Sequence, residues 1–264
     1  MHETHERVVS AIAPPAEALA YDTVTFDAVR PDAEYVRRAV GIDPQRPAHR
    51  RWLSVVDEYI DTLPRLMRPR GVYRIDAVRQ IETRRLELAS GAVYHGDIRQ
   101  YLDGAEYVAT LVVTVGGALE RLARRWMKGT QIMRGAIVDA VASEATEVTA
   151  ERMRTVIRAW AQARGLAVST RYSPGYCGMH VREQQTLFAS LPTHAIRVRL
   201  TPSSLMMPIK SVSGLVGIGP AARLPADVVA CATCDHPHCT QRRVPFGHGQ
   251  GTTGTAPPSA PVES

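Results

Sequence analysis

Residues 107–115 read YVATLVVTV, a continuous apolar run rich in β-branched side chains. Such a run predicts a strand that is buried on both faces of a sheet. The next residues, GGALERLARRWMKG (116–129), predict a helix packed beside that strand. The glycine pair at 116–117 fits a tight strand-to-helix turn, because the full G-x-G-x-x-G of a dinucleotide site is missing.

Residues 131–165 continue with a second, much longer helical pattern. Gly165 is placed where it can cap the C-terminal end. Apolar residues recur at helical spacing along this segment and predict one buried stripe. The stripe comprises Ile137, Val141, Ala145, Val148, Met153, Val156, Ile157 and Trp160.

The segments on either side alternate between strand and helix patterns. Upstream, 32–63 is helical, 71–95 is strand-like and 97–104 is a short helix. Downstream, LAVSTRY (166–172), AIRVRLT (195–201) and GLVGIG (214–219) are predicted as strands, and REQQTLFASL (182–191) as a helix. The sum predicts an α+β fold, a mainly antiparallel or mixed sheet flanked by long helices.

The composition divides the chain into four predicted parts. Residues 1–30 mix Pro, Ala and charge without a sustained period and are predicted to be flexible. Residues 31–225 form one α+β domain, and 226–243 carry a cysteine cluster. Residues 244–264 consist largely of Gly, Thr, Pro and Ser, which predicts a disordered tail.

Charge and hydropathy exclude several classes of protein. The net charge is +6 and the pI is about 9.4, but the arginines are scattered among carboxylates, and only three Phe and three Trp are present. This pattern argues against a nucleic-acid-binding protein. No run of 18 apolar residues occurs, and the N-terminus is acidic where a signal peptide would be positive, so we expect no membrane span and a cytoplasmic protein.

The stretch RYSPGYCGM (171–179) concentrates chemistry-bearing residues in a few positions. A simple strand-to-helix connection needs only its Pro-Gly turn. The functional alternative is an anion clamp, in which Arg171 offers a planar fork of donors to a carboxylate or phosphate. Gly175 would allow close approach to the backbone, and Tyr176 would offer an electron-rich face to a cation.

A second stretch, LTPSSLMMPIKSVSGLVG (200–217), is rich in hydroxyl groups and has little periodicity between 203 and 213. It predicts either a polar loop before a strand or a ligand-facing loop lined by Ser211, Ser213 and Gly214. The two methionines, Met206 and Met207, would add soft apolar contacts.

The third stretch is CATCDHPHC (231–239), with Cys231, Cys234 and Cys239 spaced C-x2-C-x4-C. Three thiolates within nine residues need one more ligand to complete a metal site. The only remaining cysteine is Cys177, although a histidine of the same stretch could serve. The number of ligands is compatible with a zinc site, with a 4Fe–4S cluster and with cysteines that bind no metal.

Taken together, these stretches resemble the activation domain of cobalamin-dependent methionine synthase, and more closely its free-standing relatives that accompany corrinoid-dependent methyl transfer. The relatives carry R-x-S-P-G-Y-C-G, a glutamine-rich helix with L-F, P-x-K-S-V-S-G and a short cysteine cluster. Here the matching stretches are RYSPGYCGM, EQQTLFASL, MPIKSVSG and CATCDHPHC. The resemblance covers about 70–243, and Met179 stands where the relatives have Trp.

The resemblance implies the fold of that domain and the binding of S-adenosylmethionine. It places Arg171 on the ligand carboxylate, the backbone of Ser173 and Gly175 on other polar groups, and Tyr176 near the cobalt-facing side. Either Glu144 or Glu147 would hold the ligand amine.

The resemblance also implies a partner, because no D-x-H-x-x-G corrinoid motif is found in this sequence. The cobalamin would lie on a corrinoid-binding methyltransferase or corrinoid protein, so whether this chain is itself an enzyme is left open. The electron that reduces the cobalamin would come from a 4Fe–4S cluster on this chain or from an external flavodoxin or ferredoxin. The alternative is a sensor or assembly factor that binds S-adenosylmethionine, holds a structural zinc and has no redox role.

Overall fold

The computed structural model describes residues 21–27, 29–176 and 178–225. Within these ranges the helices are α1 Ala33–Ala39, α2 Arg50–Thr62, α3 Ile98–Leu102, α4 Ala118–Lys128, α5 Ile132–Gln162 and α6 Glu183–Ala189. The strands are β1 Tyr21–Thr25, β2 Arg70–Ile81, β3 Arg85–Leu88, β4 Val93–His95, β5 Tyr107–Thr114, β6 Ala167–Tyr172, β7 Arg199–Leu200, β8 Met206–Met207 and β9 Ser211–Gly219.

The main sheet has the strand order β4-β3-β2-β5-β9-β6, and β1 pairs with the first half of β2. Every pairing is antiparallel. The apolar run at 107–115 is therefore a central strand, β5, flanked by β2 and β9 and buried along nearly its whole length. The predicted α+β class is confirmed.

Helix α5 joins two parts of the core. At about 1.5 Å per residue its 31 residues extend about 46 Å, which is longer than the strands beneath it. Its C-terminal half packs on one face of the sheet, where Met153 and Ile157 meet Leu111. Its N-terminal half packs against α1, α2 and α4 through residues such as Val141. The other face of the sheet is covered by α3 and α6.

Two predicted segments differ from the structure. The stretch AIRVRLT alternates like a strand, yet Thr193–Ile196 is a 3-10 turn and only Arg199–Leu200 is extended. Burial of Ile196 and Val198 against the sheet overrides the local alternation. In the segment expected to be flexible, Tyr21–Thr25 is a strand that pairs with β2. The other described elements all fall within 31–225, while 1–20 and 226–264 lie outside the described residues.

Candidate functional site

The two sequence motifs meet at the end of β6. Arg171 is paired with Val216 of β9, so RYSPGYCGM and KSVSG lie on neighbouring strands. From β6 the Arg171 side chain reaches α5, where its Nη2 donates to Glu147 Oε2 over 2.9 Å. The two side chains are partly exposed, 24% for Arg171 and 34% for Glu147. A partly exposed guanidinium and a partly exposed carboxylate are thus held together where β6 meets α5.

Ser173 fixes the position of Arg171 from the other side. Its hydroxyl accepts from Arg171 Nε over 3.1 Å and donates to the carbonyl of Ser213 over 2.8 Å. The guanidinium is therefore held by a hydroxyl of its own strand end and by a carboxylate of α5. We refer to Arg171, Glu147, Ser173 and Gly214 as the Arg171 corner.

Gly214 forms the floor of this corner. A Cβ at this position would lie 2.6 Å from Arg171 Cγ, 2.8 Å from its Cδ and 3.0 Å from Ser173 Oγ. No side chain fits there unless Arg171 moves, which gives a physical reason for glycine in the S-V-S-G motif.

The Pro-Gly turn after Ser173 has a geometry that favours glycine. Gly175 has φ +91°, in the left-handed region, and its N–H donates to the carbonyl of Met179 over 2.9 Å. A ligand could therefore approach its open face and its carbonyl oxygen, but its amide is already engaged. The next residue, Tyr176, is 67% exposed at the tip of the turn.

The predicted ligand-facing loop at Ser211, Ser213 and Gly214 requires a correction. All three residues belong to β9, and all three are buried. Ser211 Oγ lies 2.7 Å from the carbonyl oxygen of Pro208 and 3.0 Å from Thr114 Oγ1, and Ser213 Oγ donates to Gln184. Internal partners satisfy these hydroxyls, which is why polar residues can occupy a central strand.

The two candidate carboxylates on α5 have different surroundings. Glu147 contacts Arg171, whereas Glu144 is only 3% exposed. The two positions are three residues apart on one helix and therefore close to one face, so spacing alone does not separate them. Of the two, Glu147 is the residue that accepts a hydrogen bond from Arg171.

Lys210 makes polar contacts with α5 that the sequence motifs did not predict. Its Nζ lies 2.8 Å from Asp139 Oδ1 and 2.8 Å from Ser143 Oγ, both on α5, and the residue is 9% exposed. It ties the start of β9 to α5 beside the S-V-S-G stretch. The sequence offers one signal for this role, because Lys210 is one of only two lysines in an arginine-rich chain.

The four predicted metal ligands, Cys177, Cys231, Cys234 and Cys239, all lie outside the described residues. Within the described ranges, no group of three or more His, Cys, Asp or Glu side chains could hold a metal ion. In the same part of the chain, no helix has the length and apolarity needed to cross a bilayer.

Two grooves of about 530 and 580 Å³ lie elsewhere, among the helices at the N-terminal end of α5. They share Ile132 and Met133 as lining residues. The first also contains Trp52 and Arg134, and the second contains Tyr35. Neither is lined by a residue of the Arg171 corner.

The fold is similar to that of a solved structure. The crystal structure of the MetH reactivation domain bound to AdoHcy matches with a TM-score of 0.58 and 18% sequence identity, over 82% of this chain and 82% of that chain. This likeness defines the class as a reactivation-domain fold. No curated protein matches the chain by sequence.

The family follows from a sequence comparison. The family model of the vitamin B12 dependent methionine synthase activation domain matches residues 97–228, half of the 264-residue chain. The chain belongs to this family, and the predicted resemblance is confirmed. It is thus an activation module of the methionine synthase type.

Proposed function

We propose that this chain binds S-adenosylmethionine at the Arg171 corner and presents it to a corrinoid-carrying methyltransferase. The observation that carries the proposal is the Arg171–Glu147 pair, because it joins both sequence motifs to α5 at one partly exposed place. The AdoHcy bound to the similar reactivation domain supports this choice of ligand class.

The charges at the corner complement the amino-acid end of the ligand. A guanidinium binds a carboxylate through two parallel hydrogen bonds, and a carboxylate binds an ammonium group. Arg171 would take the ligand carboxylate, and Glu147 would take its amine. Since Ser173 and Gly214 already hold Arg171 in place, little side-chain ordering remains to be done on binding.

The sulfonium end would lie toward Tyr176. An aromatic face attracts a cation when the ring is within about 6 Å of it. The exposed apolar residues in or next to the two motif segments would form the rim that meets the partner. They are Tyr176, Val181, Leu205 and Ile209. Bound to the partner, the corrinoid would supply a one-electron-reduced methyl acceptor, and the ligand left on this chain after the S–CH3 bond breaks would be S-adenosylhomocysteine. The task of this chain would be to hold and orient the donor, which is catalysis by positioning.

Isothermal titration calorimetry tests the site. Arg171→Ala should weaken the binding of S-adenosylmethionine by about 1.5–3 kcal/mol, because a charge-assisted contact is lost. Glu147→Gln should also weaken binding. Arg79→Ala is the matched control, since Arg79 pairs with Glu87 near the far end of β2. Equal affinities for Arg171→Ala and the wild type would remove Arg171 from the site.

For the cysteines we propose a metal site formed by Cys231, Cys234, Cys239 and either Cys177 or a histidine. An iron–sulfur cluster would allow this chain to pass the electron itself. A zinc ion would leave that step to a flavodoxin or ferredoxin. Anaerobic purification followed by metal analysis and visible absorption distinguishes them, and metal-free protein would contradict the proposal.

A further inference from the structure

Three arginines lie near the start of β2. Arg70 is the first residue of β2, and the Arg68 amide two residues earlier donates to the carbonyl of Val115 over 2.9 Å. Arg197 follows the 3-10 turn that packs on β2, and it has φ +56°. We call Arg68, Arg70 and Arg197 the arginine cluster.

The cluster has no counter-charge among the residues that the structure describes. None of the three forms an ion pair there, whereas Arg74 and Arg79 on the same strand pair with Asp76 and Glu87. Arg68 Nη1 donates only to backbone carbonyls, those of Arg65 and Met67.

Arg70 is the most constrained of the three. Its Nε is inaccessible to solvent and has no hydrogen-bond partner within the described ranges. Burial, followed by the positive charges of Arg197 and Arg68, lowers the pKa of its guanidinium. Like charges that approach one another around a partly buried, unpaired donor raise the free energy of the folded state unless an anion joins them.

A phosphate group is the anion that best fits this arrangement. It carries up to two charges and several acceptor oxygens, which suit a set of guanidinium forks. We propose that the arginine cluster binds the phosphate of a small phosphorylated molecule. This site is distinct from the Arg171 corner, because β5 and β9 separate β2 from β6 and S-adenosylmethionine carries no phosphate.

Calorimetric titration with pyrophosphate at constant ionic strength tests the proposal. The wild type should bind pyrophosphate saturably, and Arg70→Gln and Arg197→Gln should each raise the dissociation constant about tenfold or more. Arg79→Gln removes the same charge from the other end of β2 and should bind like the wild type. Absence of binding at millimolar pyrophosphate, or equal affinity in all four proteins, would overturn the proposal.

Thermal unfolding separates binding from a structural role. In phosphate-free buffer, Arg70→Gln should have a Tm equal to or above that of the wild type, because repulsion is relieved. Pyrophosphate should raise the Tm of the wild type by more than that of the variant at the same concentration. A lower Tm for the variant in both buffers, together with unchanged affinity, would make Arg70 structural and contradict the site. If Arg70→Gln does not fold, the exposed Arg197 provides the same test.

Discussion

Arg171 and Gly214 illustrate how one residue depends on another across two strands. The methylene groups of Arg171 lie directly over the Gly214 backbone, which leaves no room for a Cβ. The guanidinium can then bond both Ser173 and Glu147. A glycine within a strand normally lowers its stability. At position 214 this cost is offset because only glycine leaves room for the Arg171 side chain.

Gly214→Ala tests this dependence. The new methyl group should displace Arg171, lower the free energy of unfolding by about 1–3 kcal/mol and weaken S-adenosylmethionine binding. Urea unfolding and calorimetry measure the two effects. Gly129→Ala is the control, because a Cβ at Gly129 would meet no atom closer than 3.7 Å. Unchanged stability and affinity in Gly214→Ala would contradict the packing described for this corner.

Some residues of the site could be predicted from the sequence and others could not. Arg171, Gly175 and Tyr176 could be proposed because they fall in one short motif. That Glu147 is the one in contact with Arg171 could not be predicted, since the packing of α5 on β6 sets this contact and no local pattern encodes it. Ser211 and Ser213 were misplaced in a loop, because their internal hydrogen bonds to Pro208 and Gln184 form only in the folded protein.

At the level of elements, α5 is tied to the sheet in two places. Glu147 bonds Arg171 of β6, and Asp139 bonds Lys210 at the start of β9. The two carboxylates are eight residues apart, about 12 Å along the helix axis. Together the ties fix how α5 lies relative to both motif strands.

Lys210→Met should loosen the second tie. Because Lys210 is buried while Asp139 is 40% exposed, we expect a loss of about 1–2 kcal/mol rather than the larger cost of breaking a fully buried pair. Lys210→Arg keeps the charge and should retain more of the stability. Urea unfolding provides the measurement, and a Lys210→Met variant as stable as the wild type would show that the tie contributes nothing.

Strand β2 carries a buried carboxylate, Asp76. Its Oδ1 lies 2.9 Å from Arg74 Nη2, but among the described residues neither carboxylate oxygen has a partner in hydrogen-bond geometry. Burial raises the pKa of Asp76 above its ordinary value of 3.8, and the charge of Arg74 offsets this in part. The folded state thus holds the Asp76 proton more tightly than the unfolded state does.

Asp76→Asn should reveal this effect as a pH dependence. With the folded pKa raised, the wild type carries no penalty below pH 3.8 and an increasing one as pH rises through the folded pKa. The free energy of unfolding of Asp76→Asn, relative to the wild type, should therefore increase with pH over that window. A relative stability that stays flat or falls with rising pH would contradict the assigned direction.

Elements whose periodicity agrees with their burial were predictable. The apolar run of β5 and most of the long stripe of α5 are of this kind. Five of the eight stripe residues are buried, and Val148, Val156 and Trp160 are only partly buried. The segment 195–201 was mispredicted because its alternation is local, whereas its conformation is set by packing of the Thr193–Ile196 turn on β2 and β5.

For the whole molecule, the antiparallel sheet and α5 form one frame, and the proposed binding corner lies where they meet. The helical layer around the N-terminal half of α5 contains the two grooves, and the Arg171 corner lies next to the middle of α5, at Glu147. The proposed phosphate site is at the start of β2, whereas the Arg171 corner is at the end of β6. We therefore expect ligands of different chemistry to bind at separate locations.

A crystal structure of the chain with S-adenosylhomocysteine tests the central claim most directly. We expect the ligand carboxylate within hydrogen-bond distance of the Arg171 guanidinium, the ligand amine at Glu147 and the ligand sulfur facing Tyr176. A ligand bound instead in one of the two grooves beside Ile132, with the Arg171–Glu147 bond unchanged, would contradict it.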